Sequence, residues 1–458
     1  MNTFSQKNGK VGRDLTEGPI LKTLLVFAIP IVISSLVQQL YSMVDLAVIG
    51  QYVGLTGTVA VNTGSEFADL LSPIAMGFST AGQIYISQLV GAKNDKKIKK
   101  TVGTLLSFMM AVALIGMFVS LLFAKPILNL VNCPEEALNQ AEWYMWIVSF
   151  GIPFVFGYNA VCGILRGMGD SEKPLKFITV AALVNVVLDL LFVAVFKWDA
   201  AGTALATTIS QGASFISAFL HLWRNKEKFE FSLSKEYFNI DLPILKVIVK
   251  LGIPQVVRST CVRTGMLWVN TQANGYGLVV SGANSVGNKL QKLLECFVSG
   301  VDTASAAMIG QNLGARKIER TKKITLYTVA SCLVAAAVSS ALGLLFPKEI
   351  YGLFTKDAEV MEVGVTFLKI FTLHFFASAV TGSFQALVTG SGFVELGFIL
   401  GVLDGLVCKI GLCMFFMNVL DMGYIGLWWG VAASRIPNAF IVIGYYLSGK
   451  WAERKLLQ

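Results

Sequence analysis

The stretch Ala28-Ile-Pro-Ile-Val-Ile-Ser-Ser-Leu-Val-Gln-Gln-Leu-Tyr-Ser-Met-Val-Asp-Leu-Ala-Val-Ile-Gly50 is long enough as a helix to cross a bilayer, yet it carries a carboxylate, Asp45, inside its apolar run. Helical spacing puts Ser34, Gln38, Tyr41, Ser42 and Asp45 on one stripe. An ionised Asp at mid-helix costs about 2.5–3.5 kcal/mol on insertion scales, so it is expected to face a cavity or the protein interior. Pro30 removes one backbone hydrogen bond a few turns earlier and gives the helix a place to bend. The stretch predicts a working site inside a membrane. The plainer alternative is a hydrogen-bonded Asp that only ties helices together.

Outward from this stretch the composition agrees. Of 458 residues, 55% are hydrophobic and only 14% are charged, which a soluble fold with one core would have to expose as large apolar patches. Twelve apolar runs are expected as spans, near 21–50, 57–90, 101–124, 139–165, 174–197, 199–222, 244–275, 279–312, 321–346, 360–388, 393–418 and 424–448. The fold class is therefore an all-α polytopic membrane protein. The expected division is a cytoplasmic segment 1–20, an amino-terminal lobe 21–222, a polar linker 223–243, a carboxyl-terminal lobe 244–448 and a tail 449–458. No short hydrophobic region with a small-residue cleavage site precedes the first span, so no cleaved signal is expected.

The formal charge of +9 invites a nucleic-acid reading, but the basic residues cluster between spans. With the amino terminus inside, cytoplasmic segments hold 26 Lys and Arg and outer segments hold 4, which fixes both termini in the cytoplasm of a plasma (inner) membrane protein. There is no phosphate-binding or dinucleotide loop, so no nucleotide is expected. Seven cysteines lack zinc spacing and two histidines cannot build a metal cluster. No cofactor and no enzymatic set of Ser, His or Cys is visible.

The chain repeats itself. Ala28-Ile-Pro30 returns as Gly252-Ile-Pro254, and Gln88-Leu-Val-Gly-Ala-Lys93 as Gln311-Asn-Leu-Gly-Ala-Arg316. Gly167-Met-Gly169 returns as Gly390-Ser-Gly392, and Ala201-Gly202 as Ile425-Gly426, all at an offset of 223 or 224. Six spans per half is an even number, so the halves share one orientation. Two six-helix bundles related by a pseudo-twofold along the membrane normal are expected, with the substrate path between them.

Pro30, Asp45-Leu-Ala-Val-Ile-Gly50, Gln88-Leu-Val-Gly-Ala, Leu165-Arg-Gly-Met-Gly-Asp170, Asn185-Val-Val-Leu-Asp189 and Gln311-Asn-Leu-Gly-Ala together resemble the multidrug and toxic compound extrusion (MATE) transporters, most closely their DNA-damage-inducible prokaryotic branch. The resemblance covers residues 20 to 450. It implies a V-shaped pair of six-helix lobes that alternate access, driven by sodium or protons and exporting amphipathic, often cationic compounds. Small-molecule substrates and the bilayer are the implied partners, with a monomer expected. A lipid-linked sugar flippase of the same superfamily is the nearest alternative, and a channel or membrane scaffold a more distant one.

Asn185 and Asp189 lie four apart in span five and share a face. The resemblance places Asp45, Asn159, Asn185, Asp189 and Thr207 around one pocket of the first lobe. Such a set offers oxygen ligands for sodium, at Asp45, Asn185 and Asp189, or two carboxylates able to share a proton. A static polar network is the alternative. Under the repeat, Asp45 corresponds to Trp268 or Val269 and Asp189 to Leu412 or Cys413, so coupling is expected in one lobe only.

The second half is rich in cations within spans: Arg258, Arg263, Lys289, Lys292, Lys369, Lys409 and Arg435. Lys289, Lys292 and Glu295, three apart, are expected to form a partly self-neutralised stripe, and a gate bridge to Glu66 or Asp69 follows as a hypothesis. Arg258 and Arg263, if they face the cavity, would favour anionic or zwitterionic compounds; pairing with Asp302, Glu395 or Asp404 is the alternative. Gln38 and Tyr41 complete the candidate cavity or gate set. Gly397, Gly401 and Gly405 read as a close-packing face of span eleven.

Overall fold

The computed structural model describes residues 13–225 and 238–453. Residues 226–237 of the expected linker, 1–12 of the leading segment and 454–458 of the tail lie outside the described residues. Helix stands at each of the twelve expected places. Spans one to three are single helices, Ile20–Tyr52, Gly54–Gly91 and Asp95–Leu122. Span four breaks between Glu135–Ser149 and Ile152–Gly167, bent by 42°. Span five is Glu172–Asp189 continued by a π-helical turn, Leu190–Val195, and span six is Asp199–Arg224. Spans seven to ten are Leu242–Gly275, Leu278–Gly314, Ile318–Leu345 and Ala358–Gly390. Span eleven runs from Val394–Val402 through π turns at Leu403–Val407 and Phe415–Val419. Span twelve is Gly423–Ala433 with Arg435–Leu447. Length and apolarity alone identify seven spanning helices among the described residues, or eight with the bent pair. Span two shows why they miss some: it buries Ser79, Gln83, Ser87 and Gln88 and is not uniformly apolar.

The backbone carries the duplication. Left-handed residues recur in pairs at the offset of 223 or 224: Gly54 with Gly277, Lys93 with Arg316, Gly169 with Gly392, Lys197 with Asp421, and Asp199 with Gly423. A positive φ is unfavourable for Lys, Arg or Asp, so its return at matching turns reflects one inherited set of connections.

The compact units depart from the sequence halves. One holds Ile33–Ile253; the other holds Leu15–Val32 together with the chain from Pro254 onward. Leu24, Phe27, Ala28 and Ile31 share a core with Val301, Ala304 and Phe371. Gly300 makes room for span one, since a Cβ there would stand 2.5 Å from the Val32 side chain. In the first unit Gly252 lies against Phe78, where a Cβ would meet the ring at 2.3 Å. The unit boundaries fall inside spans one and seven, at Val32/Ile33 and Ile253/Pro254, and not at the ends of the expected lobes 21–222 and 244–448. Spans one and seven stay unbroken through Pro30 and Pro254, and a helix that long has apolar residues for two cores.

The glycine face of span eleven is resolved residue by residue. A Cβ on Gly405 would stand 2.4 Å from the Cys261 carbonyl carbon, and one on Gly401 2.6 Å from the Arg258 Cα, whereas Gly397 faces open space. Backbone therefore meets backbone at two of the three positions. Gly405→Val is expected to destabilise the protein by about 1–3 kcal/mol through overpacking, while Gly397→Ala leaves it unchanged. Thermal melting in detergent measures both, and equal melting of the two variants would contradict this packing.

Candidate functional site

Asp189 closes the α-helical part of span five, directly before the π turn at Leu190–Val195. Such turns are frequent at functional sites, where they displace side chains from the regular helical register. Asp189 is 0% exposed and Asn185, one turn earlier, is 1% exposed. Asp45, half-buried on span one, brings its carboxyl within hydrogen-bonding reach of the Asp189 carboxyl. Among the described residues no donor reaches either oxygen of Asp189 or Oδ1 of Asp45. The Asn185 amide is likewise buried without a partner at either end. Two ionised carboxylates can only accept, so their contact is repulsive. One proton between them turns it into a short, charge-assisted hydrogen bond.

The walls are aromatic. Tyr144 of span four is buried beside Asp45, Asp69 and Asp189, and it packs where Gly64 has no Cβ. Tyr41 flanks Asp45 and lies near Tyr158. Behind them the Arg166 Nη2 donates to Ser79 Oγ at 3.3 Å, and that hydroxyl donates to the Asn159 carbonyl at 2.6 Å.

The structure gathers some of the sequence-expected residues and not others. Asp45 and Asp189 meet, with Asn185 a turn away on the buried face. Asn159 spends its amide on its own helix, donating to the Val155 carbonyl at 2.8 Å. Thr207 shows no hydroxyl bond to the pair; its carbonyl accepts from Ser210 Oγ at 2.8 Å, and Thr208 donates to the Ile147 carbonyl at 3.1 Å. The buried hydroxyl of span six without a partner is that of Thr203. Gln38 and Glu66 are exposed, and Asp69 is half-buried beside Tyr144. Tyr144 was not singled out from the sequence, although Gln140 and Tyr144 form a polar pair four apart in span four.

In the second unit the expected stripe does not form. Lys289 and Lys292 are exposed, while Glu295 accepts from Arg435 Nη2 at 3.1 Å and from Gln291 Nε2 at 2.9 Å. A half-buried guanidinium is less hydrated than an exposed ammonium and is the better partner for a carboxylate leaving water. Arg258 lies in the fields of Asp302 and Asp404, and Arg263 is exposed.

The MatE family model matches twice, over residues 30–191 and 254–415, at the spacing of the repeat. "Probable multidrug resistance protein YpnP" of Bacillus subtilis (strain 168) is 27% identical over 447 residues, covering 97% of this chain and 98% of that protein. "Multidrug export protein MepA" of Staphylococcus aureus (strain NCTC 8325 / PS 47) is 23% identical over 433 residues, 94% of this chain and 95% of its own. A solved MOP superfamily transporter from Pyrococcus furiosus Vc1 (DSM3638) shares the fold at a TM-score of 0.89, with 20% identity, over 97% of this chain and 100% of that one.

The bare Asn185 amide separates a working site from a structural tie. Unpartnered buried polar groups cost about 1–3 kcal/mol each, so Asn185→Leu is expected to melt at or above the wild-type temperature while impairing transport. Destabilisation beyond about 2 kcal/mol would instead mark the amide as a helix tie, since only a satisfied group is that expensive to remove.

Proposed function

This chain belongs to the MatE family of multidrug efflux transporters, a family of multi-pass membrane carriers and not of enzymes, and from that membership we propose that it is a secondary exporter that exchanges protons for amphipathic organic compounds. The observation that carries the reading is the contact of Asp45 with Asp189 in a buried setting without a donor. Such a pair is one titrating unit that releases its proton when access changes. Uptake of the proton draws the Asp45 segment of span one onto span five, and release lets it go. Span one continues through Pro30 into the core of the second unit, so movement at Asp45 is passed along a helix that already lacks one backbone bond. Both termini are cytoplasmic in this reading, as the charge asymmetry supports.

Sodium is the second reading. The Asp45, Asp189 and Asn185 oxygens that lack donors are hard ligands that a small cation would accept. The carboxyl contact favours the proton, since a proton bridges two oxygens in direct contact and a metal ion spreads them. The multidrug names of the relatives lean away from a lipid-linked sugar flippase.

Proteoliposomes with proton and sodium gradients imposed separately test the proposal. Dye export is expected with the proton gradient alone. Asp45→Asn and Asp189→Asn should each lower it by about 10²-fold or more, the scale for losing a group that must carry the proton, with insertion intact. Wild-type export by both variants would reject the mechanism, and export on sodium alone would reassign the ion.

A further inference from the structure

The second compact unit holds a buried polar cluster built on His374, Gln291, Glu295 and Arg435. His374 of span ten is 1% exposed. Its Nε2 lies 3.0 Å from the Gln291 Nε2 and 3.5 Å from the Glu295 Oε1. The same Gln291 nitrogen donates to Glu295 Oε1 at 2.9 Å, and Arg435 Nη2 donates to that oxygen at 3.1 Å. Arg435 also donates to Ser378 Oγ at 2.9 Å, and its Nε is 3.9 Å from Asp404 Oδ2, on a π turn of span eleven. The charged groups that face the imidazole are Glu295 from span eight, Arg435 from span twelve and Lys409, 2% exposed, from span eleven. Phe371 and Phe375 flank it on its own helix at 5.2 and 6.4 Å.

This geometry fixes one protonation state and strains it. An amide NH₂ only donates, so the His374 Nε2 facing it must be the lone-pair nitrogen and the imidazole proton must sit on Nδ1. That Nδ1 is buried without a partner, and so is the Gln291 Oε1. A second proton on Nε2 would set donor against donor. Withdrawal of the Gln291 amide relieves the clash: Nε2–H then donates to Glu295 Oε1, 3.5 Å away, which Arg435 also holds. The neutral and charged forms therefore have two discrete arrangements, with Glu295 as the fixed anion between His374 and Arg435.

We propose that His374, with Gln291 and Glu295, forms a second proton-binding site in the carboxyl-terminal unit, with the imidazole as the group that takes the proton and Gln291 as the positioning residue that selects its tautomer. Proton binding is independent of the exporter reading; its use in transport rests on that reading. At the repeat offset Gly151 stands opposite His374 and Ser72 opposite Glu295, so comparing the halves for lost acids does not reveal the site.

The chain contains two histidines, His221 and His374, which makes the test direct. Full-length protein labelled with ¹⁵N-histidine is placed in lipid nanodiscs as the H221Q variant, which leaves one imidazole signal and is expected to keep wild-type transport. The signal is expected to be the Nδ1–H tautomer at pH 8 and to convert to imidazolium by pH 5, the range in which histidine serves as a switch. Q291L should lose the fixed tautomer, and E295Q should weaken proton uptake about tenfold, one pH unit. An imidazole that stays neutral throughout this range, or starts as the Nε2–H tautomer, overturns the proposal. In proteoliposomes H374Q is expected to slow proton-driven export about tenfold, within the range for coupled sites, and to flatten its pH profile. A titrating His374 with unchanged H374Q transport would overturn its role in transport. Unaffected D45N and D189N export would overturn the exporter mechanism alone, because the spectroscopic result does not depend on it.

Discussion

Two carboxyls within hydrogen-bonding reach of each other, with no donor to the buried oxygens among the described residues, are the constraint on which the first unit depends. The Asp45 and Asp189 carboxyls come from spans one and five, and each additional charge at that depth is disfavoured by the surrounding apolar helices. Neighbouring features serve this contact. The π turn after Asp189 sets the register of its end of span five, the Asn185 amide stays bare one turn away, and Tyr144 closes the side toward span four. A site built only for stability would pair these groups, since the interior makes unpaired polar atoms costly. Here they stay unpaired among the described residues.

The second unit solves burial differently. Glu295, Arg435, Asp404 and His374 come from four separate spans and are held at hydrogen-bond or ion-pair distances, so opposite charges offset one another. Breaking such a buried pair costs more than forming it gains, which makes the cluster sensitive to any change of charge at one member. Gln291 is the joint of the cluster, because its single amide nitrogen faces both the acid and the imidazole. The two units thus share connections and backbone turns while their buried chemistry has diverged.

Close helix packing frames the second unit. Gly405 and Gly401 let span eleven approach the backbone of span seven, and Gly300 does the same for span one against span eight. Where Cα atoms meet without side chains between them, small displacements are resisted by hard contacts, and the side chains beyond are aimed accurately. The unbroken helices that carry Pro30 and Pro254 each contribute residues to both compact units.

The sequence by itself determined the twelve helices, their duplication and the presence of acids where hydrocarbon excludes them. These follow from periodicity, length and repeated motifs, which are local properties read along the chain. It also singled out Asp45 and Asp189, because a carboxylate in an apolar run stands out without any knowledge of its neighbours, and Asn185 by its place one turn before Asp189. Only the tertiary structure decided that Asp45 and Asp189 touch, that Asn159 turns back on its own helix, that Glu295 leaves the lysine stripe for Arg435, and that His374 meets Gln291. The separations explain why: Asp45 and Asp189 are 144 positions apart and Glu295 and Arg435 are 140. A helix repeats its faces every 3.6 residues and so shows which side chains share a face. Which other helix that face meets is set by packing across the whole bundle, and no local pattern encodes it.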